Sequence, residues 1–214
     1  MKGLIALKDG MLAILPLTVI GSVFLIIGQI PSEAINTAIA GVFGKSWTEP
    51  FMQVHAGTFA IMGLIACFSI GYAYAKNESI EPLPSGVLSV AAFFITLRSS
   101  FTTPDGETVD ALARVWFGGQ GIVGAIIIGL SVGAIYSFFI KNNIVIKMPK
   151  QVPDAISKQF AAMIPAFAIC LLSMIVYIVA KAASGSTFIE WIYSVIQVPL
   201  QGLSDTLPGV IGIA

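Results

Sequence analysis

Charged residues are scarce in this chain: lysine, arginine, aspartate and glutamate make up 10% of its 214 residues, against about 25% in a typical soluble domain. The charges of the 11 basic and 11 acidic residues cancel, so the sequence lacks the excess of basic residues that nucleic-acid binding requires. Nucleic acid is therefore not predicted as a partner. The two cysteines, Cys67 and Cys170, lie inside apolar runs and are predicted to be small buried side chains, not a disulfide or a metal pair. With a single histidine and scattered carboxylates, we predict neither a metal site nor a cofactor.

Long apolar runs, by contrast, are abundant. Hydrophobic residues make up 57% of the chain, and the mean hydropathy is +0.92. No charged residue occurs between Arg114 and Lys141, a run of 26 residues, whereas a helix needs only about 20 to cross the hydrocarbon core of a bilayer. Buried strands of soluble proteins have apolar runs of only about 4–8 residues. The sequence therefore predicts an all-α integral membrane protein with about five transmembrane helices, at 11–30, 51–75, 83–97, 118–140 and 160–180.

A row of small side chains runs along the fourth predicted span at every fourth position. This small-residue stripe consists of Gly121, Ala125, Gly129, Gly133 and Ser137. Small side chains let helix backbones approach closely, and helix association in lipid depends on such surfaces because lipid tails are already as apolar as leucine. The stripe therefore predicts a helix-packing surface, within the chain or in a dimer. The alternative is that glycine is simply tolerated in membrane helices.

The connecting segments also show local patterns. Apolar and polar positions in 188–203 follow helical spacing, which predicts an amphipathic helix lying in the membrane interface; its predicted apolar face includes Phe188, Trp191 and Ile192. A shorter interfacial helix is predicted at 34–43. The turn Pro104-Asp105-Gly106 favours a small hairpin. The run 83–97 is short, and the sequence leaves open whether it spans the bilayer fully or is partly embedded.

Three polar residues are candidates for substrate contact. His55, in the first turn of the second predicted span, is a candidate for a sugar contact or a proton relay, the alternative being a polar group bonded to a neighbour at the interface. Gln120 lies at the membrane edge and could hydrogen-bond a substrate. Arg98 borders the polar segment 98–117, where an ion pair with that segment's acids, or a solvated surface charge, is the alternative.

Cations are unevenly divided between the two predicted sides of the membrane. With a cytoplasmic N-terminus, seven lysines lie inside and four lysines or arginines lie outside. Cytoplasmic loops carry an excess of lysine and arginine, so the sequence predicts a cytoplasmic N-terminus. The loop 141–159 contributes most of the excess.

Three stretches form a recognisable motif set. They are KDGMLAILPLTVIGSVFLIIGQIP at 8–31, a GGQG turn and span followed by IVIKMPKQVPDAISKQFAAMIPAF ending at residue 167, and PLQGLSDTLPGVI at 199–211. In order and spacing the set resembles the lactose/cellobiose/diacetylchitobiose family of phosphotransferase-system (PTS) sugar permeases, the membrane IIC component. The resemblance covers nearly the whole chain.

The resemblance implies a multi-pass homodimer of the bacterial inner membrane. Residues 1–181 would form the five-span interface domain that holds the dimer, and 182–214 an amphipathic linker helix and the start of a transport domain. That domain would carry a disaccharide across by an elevator-type movement, for phosphorylation by a phosphorylated IIB partner. The basic loop would face IIB through Lys147, Lys150 and Lys158. The chain is expected to be a transport component without catalytic residues, not an enzyme by itself.

The chain departs from the family in two motifs. The family's sugar-site histidine lies in a Gly-Ile-His-Gly setting and its glutamate in an Asn-Glu-Pro setting, and neither occurs here; the surroundings of His55 do not match. The chain is therefore expected to be the N-terminal half of a permease. One alternative is a dimerisation and scaffold module with no transport of its own. A fragment of an ion-coupled secondary transporter is disfavoured, since no span has an ionisable Asp, Glu, Lys or Arg in its middle.

Overall fold

The computed structural model describes residues 2–149 and 151–197, which are mostly helical. The helices are α1 (Lys2–Gly28), α2 (Glu33–Phe43), α3 (Glu49–Ala56), α4 (Met62–Asn77), α5 (Pro82–Ile95), α6 (Ile122–Lys141), α7 (Asp154–Ala161), α8 (Met163–Ser184) and α9 (Phe188–Ile192). Within the described residues, four helical stretches are long and apolar enough to cross a membrane: Lys2–Gly28, Glu49–Asn77, Gly119–Lys141 and Ile156–Ser184. The prediction of an all-α integral membrane fold is confirmed.

Helix α4 lies at the centre of the bundle, with α1, α5 and α6 packed around it. Seven of its 16 residues are buried, most of them glycine, alanine or cysteine. On the α1 side, a Cβ atom added at Gly10 would lie 2.7 Å from the Cα atom of Ile70, so the two backbones touch directly. Helix α8 packs farther out, against α5 and α6, where buried Ile169 joins the same core as Phe93 and Tyr136.

Polar groups also join α4 to α5 inside the bundle. The Ser85 hydroxyl donates to the carbonyl of Gly71 at 2.8 Å, and the Cys67 thiol donates to the carbonyl of Ser89 at 3.3 Å. Cys67 is fully buried, as predicted, while Cys170 is half-buried, and both are free thiols. In an apolar environment such small polar groups find partners within the protein, because lipid offers none.

Two predicted spans differ from the structure. Helix α1 begins at Lys2, not near residue 11; its first turns carry Asp9, whose carboxylate accepts from Asn77 at 3.1 Å. The second predicted span, 51–75, is interrupted after Ala56, because Thr58 takes a non-helical conformation (φ −126°, ψ −88°) and a 3₁₀ turn, Phe59–Ile61, follows before α4. The third is α5, whose 14 residues rise about 21 Å at 1.5 Å per residue.

The connecting segments follow the predictions in part. The hairpin is confirmed: β1 (Ser100–Thr102) pairs antiparallel with β2 (Thr108–Asp110), and Phe101 lies opposite Val109. A helix occupies 33–43, as predicted. In α9, Ile189 and Ile192 are buried, because Ile189 packs on Gly124 of α6. Trp191 of the predicted apolar face is 41% exposed, and its place in the membrane interface stays a prediction. A π-helical turn, Tyr193–Gln197, follows, and 198–203 lie outside the described residues.

Candidate functional site

The small-residue stripe lies against α4 of the same chain. An added Cβ atom would lie 2.8 Å from the carbonyl oxygen of Cys67 at Gly129, and 2.5 Å from the Cβ atom of Tyr74 at Gly133. Both distances are shorter than real Cβ contacts, so only glycine fits at these two positions. The other members vary: Ala125 and Ser137 are buried within α6, whereas Gly121 precedes the helix and faces the carbonyl of Trp116.

The stripe is therefore an intrachain packing surface, and its part in a dimer stays a prediction. A similar close contact occurs near the N-terminal ends of α4 and α6. A Cβ atom added at Gly63 would lie 2.7 Å from the carbonyl oxygen of Gly118. This contact fixes the glycine turn that precedes α6 against the start of α4. Because Gln120 is part of this glycine turn, the same contact also positions its side chain.

His55 and Gln120 lie 65 positions apart in sequence but line one open depression of about 470 Å³. The interruption between α3 and α4 turns the chain here, so that the His55 ring stacks on Phe59 with ring centroids 5.4 Å apart. The Nδ1 atom of His55 lies 3.4 Å from the carbonyl oxygen of Gly21, which holds the ring against α1. Arg114 and the glycine backbone at 118–119 complete the wall.

This depression combines an imidazole, an amide, a guanidinium and an aromatic ring. Such a set can exchange hydrogen bonds with a hydroxyl-rich ligand and offer a flat face to its carbon skeleton. Arg114 was not among the sequence-predicted site residues. Its place four residues before the GGQG turn was the signal that could have found it, since Arg114 and Gln120 lie on either side of the glycines and line the same depression.

Arg98 does not join this depression. Its Nη2 atom lies 3.6 Å from a Glu190 carboxylate oxygen in α9, and its guanidinium lies 5.8 Å from the centre of the Phe101 ring. The structure thus shows an ion pair, but not with Asp105, Glu107 or Asp110, the acids of segment 98–117. Those side chains extend from the exposed hairpin, whereas α9 packs against α8 and α6.

Two lysines of the basic loop 141–159 form ion pairs with Glu78 and Glu81, which were not among the predicted site residues. Lys158 lies 3.1 Å from the carboxylate of Glu81, while Lys147 is exposed; Lys150 lies outside the described residues. The neighbouring Glu78 accepts from both Lys141 and Lys2, the latter at 2.9 Å. These two ammonium groups, Lys141 first, lower the pKa of the Glu78 carboxyl.

No group of three or more His, Cys, Asp or Glu side chains close enough to hold a metal ion occurs in the part of the chain that the structure describes.

Comparison with known proteins connects this architecture to a family. The family model described as "Phosphotransferase system, EIIC" matches residues 8–214. The chain belongs to the phosphotransferase system EIIC family. The resemblance found in the sequence motifs is thereby confirmed, although the third motif, 199–211, lies outside the described residues.

Several members of the family are similar to this EIIC chain in sequence. It is 35% identical over 210 residues to the lichenan permease IIC component of Bacillus subtilis, covering 95% of this chain and 46% of that protein. It is 31% identical to the cellobiose-specific EIIC component of Geobacillus stearothermophilus, covering 96% of this chain and 47% of that one. The EIIC chain spans about half the length of these relatives.

A solved structure shares the EIIC fold. The crystal structure of the transporter ChbC, the IIC component from the N,N'-diacetylchitobiose-specific phosphotransferase system, superposes with a TM-score of 0.88 at 30% identity. The match covers 98% of this chain and 50% of ChbC. The helix order and packing described above are therefore those of an established IIC component.

Proposed function

We propose that the protein from which this chain derives is a PTS permease IIC component that carries a disaccharide such as cellobiose, lactose or diacetylchitobiose across the bacterial inner membrane. The family match over residues 8–214 supports this proposal most strongly, and the 0.88 TM-score to ChbC agrees with it. The chain contributes binding and packing surfaces rather than catalysis.

Within this function, we assign residues 1–181 to a fixed interface domain and 182–214 to a linker and the start of a transport domain. The moving part of an elevator needs a rigid counterpart. The close backbone contacts of α4 with α1 and α6 support this assignment, because small residues at helix interfaces allow tight packing in the membrane. A homodimer is part of the same proposal and rests on the family resemblance.

The depression lined by His55 and Gln120 is the proposed sugar-facing surface of this chain. Arg114 replaces Arg98 as its cationic member, because Arg98 is paired with Glu190 elsewhere. Hydroxyl groups of a passing sugar would exchange hydrogen bonds with the amide and guanidinium, and Phe59 would contact its apolar face.

Transport can be tested in inverted and right-side-out membrane vesicles containing the protein, supplied with the soluble phosphotransferase components and phosphoenolpyruvate. We expect uptake and phosphorylation of at least one radiolabelled β-linked disaccharide, unaffected by ionophores that dissipate ion gradients. Uptake that requires a proton or sodium gradient and no phosphoenolpyruvate would contradict the proposal and support an ion-coupled transporter.

A dimerisation and scaffold module is the second candidate for this stretch of chain, because its closest contacts, those of α4 with α1 and α6, are helix-packing contacts. Isothermal titration of the 214-residue chain with cellobiose, lactose and diacetylchitobiose separates the two. Saturable disaccharide binding that weakens in Gln120→Ala would exclude the scaffold-only role, whereas a folded chain that binds none of the sugars would support it.

We further propose a cytoplasmic N-terminus, with the loop 141–159 near the docking surface of IIB. Lys147 is exposed and available to a partner, whereas Lys158 is engaged by Glu81. A cysteine placed at Lys150 should react with a membrane-impermeant maleimide only after the cells are opened. Labelling in intact cells would reverse the orientation.

A further inference from the structure

A second polar depression, of about 210 Å³, lies where the ends of α5, α8 and α9 meet. It contains two cations, Arg98 and Lys181, and is otherwise lined by hydroxyl groups and a glycine: Ser100, Tyr177, Gly185, Ser186 and Thr187. The sugar-facing depression has no lining residue in common with it. Its side chains are mostly hydrogen-bond donors, which is the composition that receives an anion.

The charges in this depression do not cancel. Arg98 shares Glu190 at 3.6 Å, and that carboxylate also accepts the backbone N–H of Thr187 at 2.8 Å. Lys181 has no carboxylate within 4.0 Å among the side chains that the structure describes. Its ammonium lies 5.7 Å from the centre of the Tyr177 ring. One positive charge is therefore left without a counter-ion among the described residues.

An apolar wall continues directly from the cationic depression. Met174 and Ile178 follow the helical spacing that leads to Lys181, and they are 45% and 54% exposed. The 22 residues of α8 rise about 33 Å, enough to cross a hydrocarbon core of about 30 Å, so Lys181 and Gly185 lie at head-group level. A small inorganic anion needs no such wall, whereas a phospholipid presents a phosphate above two acyl chains.

We propose that this depression binds the phosphate of an anionic phospholipid, with an acyl chain lying along the exposed face of α8. Lys181 supplies the uncompensated charge, Arg98 donates from the opposite wall, and the Ser100 and Ser186 hydroxyls border the phosphate. Basic pockets between membrane helices at the interface bind lipid head groups by this combination of charge and apolar contact.

Native mass spectrometry of the protein in detergent micelles tests the proposal with phosphatidylglycerol as the probe. Lys181→Gln should weaken phosphatidylglycerol binding about fivefold, the effect of about 1 kcal/mol for one basic group at a membrane surface. Lys181→Arg should keep the binding, because it keeps the charge. Lys45→Gln is the control: Lys45 is likewise an exposed lysine but lies between α2 and α3, outside the depression, so its loss should leave the affinity within twofold.

Two further probes identify the source of the phosphate. Phosphatidylcholine carries the same phosphodiester but has no net charge, so it should bind more weakly than phosphatidylglycerol to the wild-type protein and to Lys181→Arg. In Lys181→Gln this preference should be reduced. Inorganic phosphate at equal concentration should not displace the lipid. Displacement of the lipid by inorganic phosphate at equal concentration would overturn the lipid assignment. If Lys181→Gln and the wild-type protein bound phosphatidylglycerol with equal affinity, the site itself would be overturned.

Discussion

Helices α4 and α8 both belong to stretches long and apolar enough to cross a membrane, yet they differ in the fraction of their residues that is buried. In α4, 7 of 16 residues are buried; in α8, only 4 of 22 are, although α8 is the more apolar helix. The buried residues of α4 are mostly small, whereas exposed α8 positions such as Leu172 and Ile175 are large. In lipid, burial thus follows how closely backbones can approach and not how apolar a side chain is, because leaving a leucine in lipid costs little.

The largest test of this difference replaces the two closest contacts of the stripe. Gly129→Leu with Gly133→Leu would drive side chains into the carbonyl of Cys67 and the ring of Tyr74. Overpacking typically costs about 1–3 kcal/mol per site, so the double variant should fail to fold or lose about 2–6 kcal/mol. The free energy of unfolding in mixed micelles measures this.

The control also enlarges two side chains, on α8, although Val→Leu adds one methylene at each site where Gly→Leu adds four carbon atoms. Val176 and Val179 are 38% and 59% exposed, so Val176→Leu with Val179→Leu should leave the free energy of unfolding nearly unchanged. If both double variants were equally stable, close approach at α4 would not be what organises the bundle.

A single large substitution on the other side of α4 should have a smaller effect. Gly10→Leu opposes the backbone of Ile70, and one overpacked position should cost about 1–3 kcal/mol. Thermal unfolding followed by tryptophan fluorescence gives the value. Gly3→Leu provides the control, since its nearest neighbour is the flexible tip of Leu130 at 3.9 Å.

Removing a hydrogen bond between helices, compared with one inside a helix, should change the stability by less than the glycine substitutions do. Ser85→Ala removes the bond to the Gly71 carbonyl across the α4–α5 contact, while Ser173→Ala removes a bond to Ile169 within α8. Interhelical bonds in membrane proteins contribute about 0.6 kcal/mol on average, so Ser85→Ala should cost about that much. Ser173→Ala should be nearly neutral, because its bond joins two residues of one helix and holds no second helix in place.

The smallest effect concerns the ends of these helices. Glu78 at the end of α4 binds Lys2 and Lys141, which holds its pKa below the ordinary 4.5. A lowered carboxyl pKa stabilises the fold above the unfolded-state pKa, and this contribution disappears as the pH falls through the folded-state pKa. Glu78→Gln should therefore lower the melting temperature slightly at pH 7 and lose that difference under acid conditions.

Glu107→Gln is the control for this last measurement, since Glu107 is exposed on the hairpin and no ion pair of its side chain occurs among the described residues. A pH-independent difference between Glu78→Gln and wild type would show that the carboxyl charge is not responsible.

Much of the fold followed from composition and spacing alone. Apolar runs of 20 or more residues have few other uses, and the Pro104–Gly106 turn has a specific backbone geometry, so α6, α8 and the hairpin were predicted. The break after Ala56 was not, because Gly57 and Thr58 are tolerated in membrane helices and only the packing of Thr58 and Phe59 against Gly21 of α1 favours a turn there.

The polar sites were harder to predict because their members are distant in sequence. The pairing of Glu78 with Lys2 and the meeting of His55 with Gln120 depend on how the helices pack, and no local pattern encodes that. Arg98 was placed with the wrong residues for the same reason: its nearest acids along the chain lie on the exposed hairpin, while its actual partner is Glu190, 92 positions away.

The ionised groups at the two ends of α5 have an electrical consequence. Its 14 residues rise about 21 Å, roughly 9 Å less than the hydrocarbon core, and ionised groups are held at both ends by the pairs Glu81–Lys158 and Arg98–Glu190. Both pairs also lie near the ends of α8, since Lys158 precedes that helix and Arg98 lines the same depression as Lys181. In an energised membrane the two helices would therefore carry charge at the same two levels, and moving one elementary charge across the full potential would take about 2.3 kcal/mol per 100 mV.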